Sequence, residues 1–325
     1  MPENFRGRIL VIRGGAIGDF ILTLPAISAL RRQFPESYLE ILGYPHIAQL
    51  ALAGGLVDRV QSIEAGALAG FFAKNGKLSE SLAEYFSEFN LIISYLYDPD
   101  EIFKINVARC SKAQFIQGPH RAKDADKIHA TRVYLSPLEK LAIFDADPLP
   151  RLSLQPKGHA EALSVQVPRS PVLGLHPGSG SERKNWPEEK WAALLQELIN
   201  KTDFEILMIG GEAEGERLQR LAAALPLTRL RVAQSLPLPD LGQMLGRSDA
   251  FLGHDSGISH LAAALGVPGV LLWGESIAEV WRPPSEEIIL LNDPAGLTAL
   301  PVEQVLTEVE RLWRRISLRD PAPKP

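Results

Sequence analysis

The chain of 325 residues has a single cysteine, Cys110. One thiol closes no internal disulfide and makes no cysteine cluster for zinc, which excludes stapled secreted scaffolds and points to a reducing compartment. Cys110 has no catalytic context around it and reads as a structural thiol. A basic surplus is also missing: 34 Lys and Arg stand against 39 Asp and Glu, a net charge of −5. Nucleic acid is therefore not the expected partner, and any anion must be held by a few placed groups. No apolar run approaches the ~20 residues of a membrane-spanning helix. The opening MPENFRGRILVIR lacks the basic-then-apolar order of a signal peptide. A cytoplasmic protein is expected. H-E-x-x-H, a cysteine pair and G-x-S-x-G are all absent.

What is present is apolar material for two cores, 46% hydrophobic against 22% charged. At roughly 150 residues per domain, two domains are expected. In the first half, 8–13, 38–43, 57–63, 91–97 and 112–118 read as strands between helical patterns. The helix at 19–34 contains Pro25, which predicts a kink or a late start. The second half reads strand 172–175, helix 187–200, strand 204–209, helices 215–225 and 239–248, then strand, turn, helix and strand over 250–274. A short helix is expected near 158–164 and an amphipathic one over 301–316. This alternation predicts two doubly wound α/β domains with parallel sheets, 1–165 and 166–325, whose ligands sit at the C-terminal strand ends and in the cleft between them.

Three loops carry the candidate chemistry. HPGSGSERKNWP (176–187) leaves a strand with Gly178 and Gly180 for close backbone approach, Ser179 and Ser181 as hydroxyl donors, and Lys184 as a compact cation. It reads equally as a phosphate cradle or as a solvated loop. GHDSGISHLAAALG (253–266) opens a helix: Asp255 or Ser256 can cap it, Gly257 brings no side chain, and His260 lies in the first turn. Helix starts attract anions, although the same residues could be only a cap and a packed histidine. RGGAIGDFILTLPA (13–26) brings Gly14, Gly15 and Gly18 and then Asp19 to a helix start. Arg13 stands where a dinucleotide fingerprint needs glycine, and Asp19 where a Walker loop needs lysine. Asp19 could act as a general base or merely cap its helix. The D-x-D triplets at 98–100, 124–126 and 145–147 are weak metal signals; the first, after a strand, is the best of them.

Together, ILVIRGGAIGDFILTLPAISALRRQFP, LHPGSGSERKNWPEEKWAAL and FLGHDSGISHLAAALGVPGVLLWG resemble glycosyltransferase family 9, the heptosyltransferases of lipopolysaccharide assembly. The resemblance implies a GT-B fold, an acceptor-binding first domain and a second domain for the nucleotide sugar. It further implies inverting transfer of a sugar, heptose first, from an ADP-activated donor to a lipopolysaccharide core or related glycan, without metal or other cofactor. By this likeness Asp19 is the base, and Ser179, Lys184, Ser256, Gly257 and His260 bind the diphosphate. Asp255 holds the donor sugar and Glu214 the ribose. Two stretches depart from the family's usual pattern: LIISYLYDPDEIF in the first half and GES at 274–276.

The rival expectations are a non-catalytic sugar-nucleotide binder of the same fold, a transferase of another sugar nucleotide, and an NAD(P)-linked enzyme. The broken glycine pattern opposes the last. A lipid-linked or oligosaccharide acceptor suggests peripheral contact with the inner membrane, through Arg311, Trp313, Arg314 and Arg315. The GT-B likeness implies a second expectation for the helix at 301–316, packing back across the first domain.

Overall fold

The computed structural model describes residues 6–154, 170–179, 184–211 and 215–317. The expected helix near 158–164 and the ribose candidate Glu214 lie outside the described residues. The chain divides into two compact units, Met1–Leu152 and Ser153–Pro325. The division falls earlier than the expected 165/166.

The first unit runs β1 (Arg8–Arg13), α1 (Ile17–Gln33), β2 (Tyr38–Gly43), α2 (Pro45–Ala53), β3 (Arg59–Ser62), α3 (Glu80–Ser87), β4 (Leu91–Ser94), α4 (Ile102–Ala108), β5 (Gln114–Gln117) and α5 (Ala130–Leu135). Its sheet is parallel, in the order β3-β2-β1-β4-β5. β1 and β4 are central and buried on both faces, so they read as unbroken apolar runs instead of alternating ones. α1 passes through Pro25 instead of starting after it, and its residues from Phe20 to Ile27 are all buried. Burial of that face outweighs the donor that proline removes.

The second unit runs β6 (Val172–His176), α6 (Glu188–Lys201), β7 (Glu205–Gly210), α7 (Gly215–Ala223), β8 (Leu230–Gln234), α8 (Leu238–Leu245), β9 (Ala250–His254), α9 (Gly257–Ala264), β10 (Gly269–Leu272), α10 (Ala278–Trp281), β11 (Ile288–Leu291) and α11 (Val302–Ser317). Its sheet, also parallel, has the order β11-β10-β9-β6-β7-β8. The edge strands β8 and β11 had no sequence expectation. β8 is mostly solvent-facing and β11 half-buried, so neither presents the apolar run that marks an inner strand.

α11 packs its apolar face within the second unit. Val305, Val309 and Leu312 are buried in the second unit's own core, against Leu194, Leu198 and Leu272 among others. Its polar face is neutralised: Arg311 pairs with Glu308, Arg314 with Glu310 and Arg315 with Glu287. The Trp313 Nε1–H donates to Asp203 at 2.7 Å. The basic lipid-facing surface expected there is therefore matched by carboxylates. Among the described residues, no helix is long and apolar enough to cross a membrane.

Both sheets reverse direction of growth beside their first strand. Such a switch point leaves a crevice at the C-terminal strand ends, where ligands of this fold class bind. In the first unit it lies between β1 and β4, and in the second between β6 and β9.

Candidate active site

In the second unit the sequence-predicted loops meet because β6 and β9 are neighbours, with His176 opposite Gly253. The loop after β6 carries Lys184, and the one after β9 carries Asp255 and Ser256. Lys184 Nζ lies 2.5 Å from Asp255 Oδ2. The Ser276 hydroxyl donates to the same oxygen at 2.5 Å, so the GES departure from the family pattern supplies a third member of the cluster. Asp255 is nearly buried and Lys184 is more than a third exposed.

Of the two candidate caps, Ser256 caps α9, and Asp255 takes the side-chain partners Lys184 and Ser276. Ser256 is the N-cap of α9 and accepts from the Ser259 amide at 3.3 Å. The Ser259 hydroxyl in turn donates to the His254 carbonyl. Gly257 is the first residue of α9, whose leading amides have no intrahelical acceptor. His260 is buried in the first turn, and Ser179 is buried in the loop after β6.

Two histidines at the strand ends stiffen this arrangement, and sequence reasoning did not assign them. His176 Nδ1 lies 3.2 Å from Ser256 Oγ. His254 Nε2 accepts the Trp186 amide at 2.9 Å, while Nδ1 faces the Gly178 carbonyl at 3.3 Å. Acceptance at Nε2 requires the neutral imidazole with its proton on Nδ1. Burial agrees, lowering His254 to about 3 and His176 to about 4. The only sequence signal was that each ends an apolar strand run just before a glycine- or serine-rich loop.

Trp186 explains the bulk at the end of that loop. Its indole is buried, donates from Nε1 to the Leu300 carbonyl at 3.0 Å, and meets Trp191 edge to face. Trp191 meets the His254 ring in the same way at 5.3 Å. Pro187 is the N-cap of α6 and not its first residue.

In the first unit Asp19 is the third residue of α1. Its Oδ2 accepts the Ala16 amide at 3.3 Å, so the carboxylate does cap the helix. It is also about a third exposed, which leaves it open to a second partner. Gly15 has φ +98°, and a Cβ there would come within 3.2 Å of Asp19 Oδ2. A Cβ at Gly14 would meet Tyr44 and Leu96 only at ordinary distances, and Gly18 lies within the first turn of α1.

Arg13, noted only as a misfit to the dinucleotide pattern, organises this corner. It is buried, donates to the His120 carbonyl at 2.8 Å and to the Asp19 carbonyl at 3.2 Å, and lies 3.8 Å from Asp19 Oδ1. Its guanidinium sits over the Tyr134 ring, 4.5 Å from the centroid. One planar cation therefore ties the end of β1, the start of α1, the loop after β5 and α5.

The D-x-D at 98–100 is a helix start: Asp98 accepts the Phe103 amide at 3.1 Å and the Lys104 amide at 3.0 Å. The triplet at 124–126 forms a single 3-10 turn, and Asp147 of the third accepts the Leu149 amide and pairs with Arg151. Among the described residues, no three His, Cys, Asp or Glu side chains converge on one point. The Cys110 thiol is partly buried, donates to the Val107 carbonyl at 3.3 Å, and is pushed up by burial.

Comparison with known proteins sets this geometry in context. The sequence model of glycosyltransferase family 9 (heptosyltransferase) matches residues 115–298. Lipopolysaccharide heptosyltransferase 3 of Escherichia coli K12 is 24% identical over 335 residues, covering 91% of this chain and 95% of that protein. Lipopolysaccharide heptosyltransferase 2 of Salmonella typhimurium is 22% identical, covering 86% of each. Among solved structures, a family 9 glycosyltransferase from Veillonella parvula superposes with a TM-score of 0.76 at 20% identity, over 96% of this chain and 99% of that one. E. coli ADP-heptose LPS heptosyltransferase II gives 0.76 at 18% identity, over 95% and 99%. E. coli heptosyltransferase WaaC with ADP-2-deoxy-2-fluoro heptose gives 0.70 at 19% identity, over 94% and 99%. These likenesses establish the fold as GT-B.

Proposed function

The chain belongs to glycosyltransferase family 9 and is a glycosyltransferase; on that premise we propose that it transfers heptose from ADP-heptose to the core of lipopolysaccharide, with inversion and without a metal. The observation that carries this reading is the cluster of Lys184, Asp255 and the α9 start at the switch point of the second sheet. It offers a cation and helix amides for a diphosphate, next to a carboxylate able to accept sugar hydroxyls. WaaC, one of the structural relatives, was solved with an ADP-sugar analogue, and curated relatives act on lipopolysaccharide by name.

The proposed reaction follows from what these groups can do. Asp19 takes the proton of the acceptor hydroxyl as its oxygen bonds to the anomeric carbon. The bond from that carbon to the β-phosphate oxygen breaks, and ADP leaves with the electron pair. Lys184 and the amides at the α9 start stabilise the charge that develops on the diphosphate. They supply the positive potential for which other transferases use a divalent ion. Ser179, Ser256, Gly257 and His260 complete the diphosphate site in this reading, Asp255 orients the sugar, and Glu214 meets the ribose.

The test is calorimetric titration of ADP, UDP, GDP and NAD, each with and without EDTA, followed by turnover of ADP-heptose on a lipopolysaccharide core acceptor with the product anomer read by NMR. ADP binding indifferent to EDTA and an inverted product are expected. A preference for another diphosphate, or loss of binding in EDTA, would overturn the donor or the metal-free mechanism respectively.

A further inference from the structure

His254 is buried at the end of β9, yet both of its ring nitrogens are spent on the backbone of a different loop. Nε2 accepts the Trp186 amide at 2.9 Å, and Nδ1 faces the Gly178 carbonyl at 3.3 Å. Gly178 and Trp186 lie on either side of Lys184 in the sequence, and Lys184 contacts the residue next to His254, Asp255. The ring's face is fixed as well, edge to face against Trp191. An apolar side chain would serve a purely packed position in this core equally well. A histidine that accepts on one side and donates on the other matches the two backbone groups it meets and no simpler purpose.

We propose that His254 is a positioning residue of the donor site: its neutral ring clamps the backbone on both sides of Lys184 and so presents that ammonium to the donor diphosphate. The proposal rests on the reading of Lys184 as the diphosphate cation. The mechanism is preorganisation. A lysine carries a large rotamer and backbone entropy, and fixing the backbone at both flanks removes part of what binding would otherwise have to order. The imidazole suits this because one rigid ring offers an acceptor and a donor on opposite edges. A buried amide or carbonyl left without such a partner would instead draw the loop toward water.

The experiment uses the full chain with His254→Leu, which keeps bulk and removes both bonds, and His254→Gln, which retains an acceptor and a donor. Each is combined with Lys184→Ala in a double-mutant cycle on ADP affinity. We expect His254→Leu to weaken ADP about tenfold and to raise the donor KM with acceptor KM little changed, from the loss of the order of one net hydrogen bond. His254→Gln recovers part of the loss. In the Lys184→Ala background, His254→Leu adds little further loss, because its effect runs through Lys184. Full multiplication of the two losses, or ADP affinity unchanged in a folded His254→Leu protein, would overturn the proposal. If His254→Leu does not fold, the same cycle is read on His254→Gln, where a multiplied loss again overturns it. Amide hydrogen exchange at Trp186 separates the clamp from the donor assignment. Should the wild type bind no ADP, the donor reading fails by itself. Unaltered exchange at Trp186 in the variants would then show that His254 clamps nothing.

Discussion

Lys184 and Asp255 form one ion pair, 2.5 Å between Nζ and Oδ2, although the proposed chemistry gives them different parts of the donor. The cation is therefore partly neutralised before any diphosphate arrives, and Ser276 shares the same carboxylate oxygen. In the proposed reaction, a diphosphate would exchange this partner for phosphate oxygens and release Asp255 toward the sugar.

The two partners should consequently move ADP affinity in opposite directions. Lys184→Ala is expected to weaken ADP about tenfold or more, the worth of a charge-assisted contact. Asp255→Asn should tighten ADP a few-fold while lowering turnover of the full sugar nucleotide. Calorimetry on both variants decides it, and weaker ADP binding in Asp255→Asn would show that the pair holds the site in shape instead of competing with the ligand.

Asp19→Asn keeps an acceptor for the Ala16 amide and loses the base. We expect kcat to fall about 10²- to 10⁴-fold, the usual worth of a general base. ADP affinity should stay unchanged, because the proposed base acts on the acceptor hydroxyl and not on the diphosphate. Retention of more than a tenth of the turnover would leave Asp19 with only its capping role.

Gly15 and Gly14 predict a contrast between adjacent positions. Gly15 has φ +98°, and a Cβ there would press on Asp19; Gly14 would meet only ordinary contacts, at 3.8 Å or more. Gly15→Ala should destabilise by roughly 1–2 kcal/mol from its backbone conformation alone and cost turnover as well. Gly14→Ala should change the thermal midpoint little. Equal midpoints for the two variants would contradict the backbone geometry of this loop.

Acid should unfold the second unit early. Burial holds His176 at about 4 and His254 at about 3, below the ordinary 6.5. The unfolded chain then binds more protons, so stability is full above pH 6.5 and declines as pH falls toward those folded values. Each tenfold difference in proton affinity is worth about 1.4 kcal/mol, which makes the loss several kcal/mol at its limit. Glu188, held low chiefly by its hydrogen bonds from Arg220, adds to the loss at still lower pH. Urea midpoints measured from about pH 8 to about pH 4.5 should hold down to about pH 6.5 and fall below it. A flat profile would mean that the folded histidines take up protons as freely as the unfolded ones.

The sequence was enough to locate the inner strands, because a buried parallel strand has no option but a short apolar run. Thus β1, β2, β6, β9 and β10 were legible. The glycine-rich loops after β1, β6 and β9 were legible too, since close backbone approach demands small residues there. The edge strands β8 and β11 were not, because an exposed edge tolerates Arg231 or a half-apolar run with equal ease. α11 had a clear apolar face, but a local pattern does not say which core receives it.

What only the tertiary structure decided is which residues meet. Lys184 and Asp255 are 71 positions apart, and they touch because β6 and β9 are hydrogen-bonded neighbours in register. Arg13 reaches His120 across 107 positions for a similar reason: β4 is hydrogen-bonded to both β1 and β5, which brings the loop after β5 within reach of the end of β1. Residue type fixed in advance that Asp19, Lys184 and Asp255 could act as base, as cation and as a carboxylate for sugar hydroxyls. Strand order brought Arg13 against Asp19 and His254 against the loop of Lys184, since a buried ring or guanidinium takes its partners from chain folding alone.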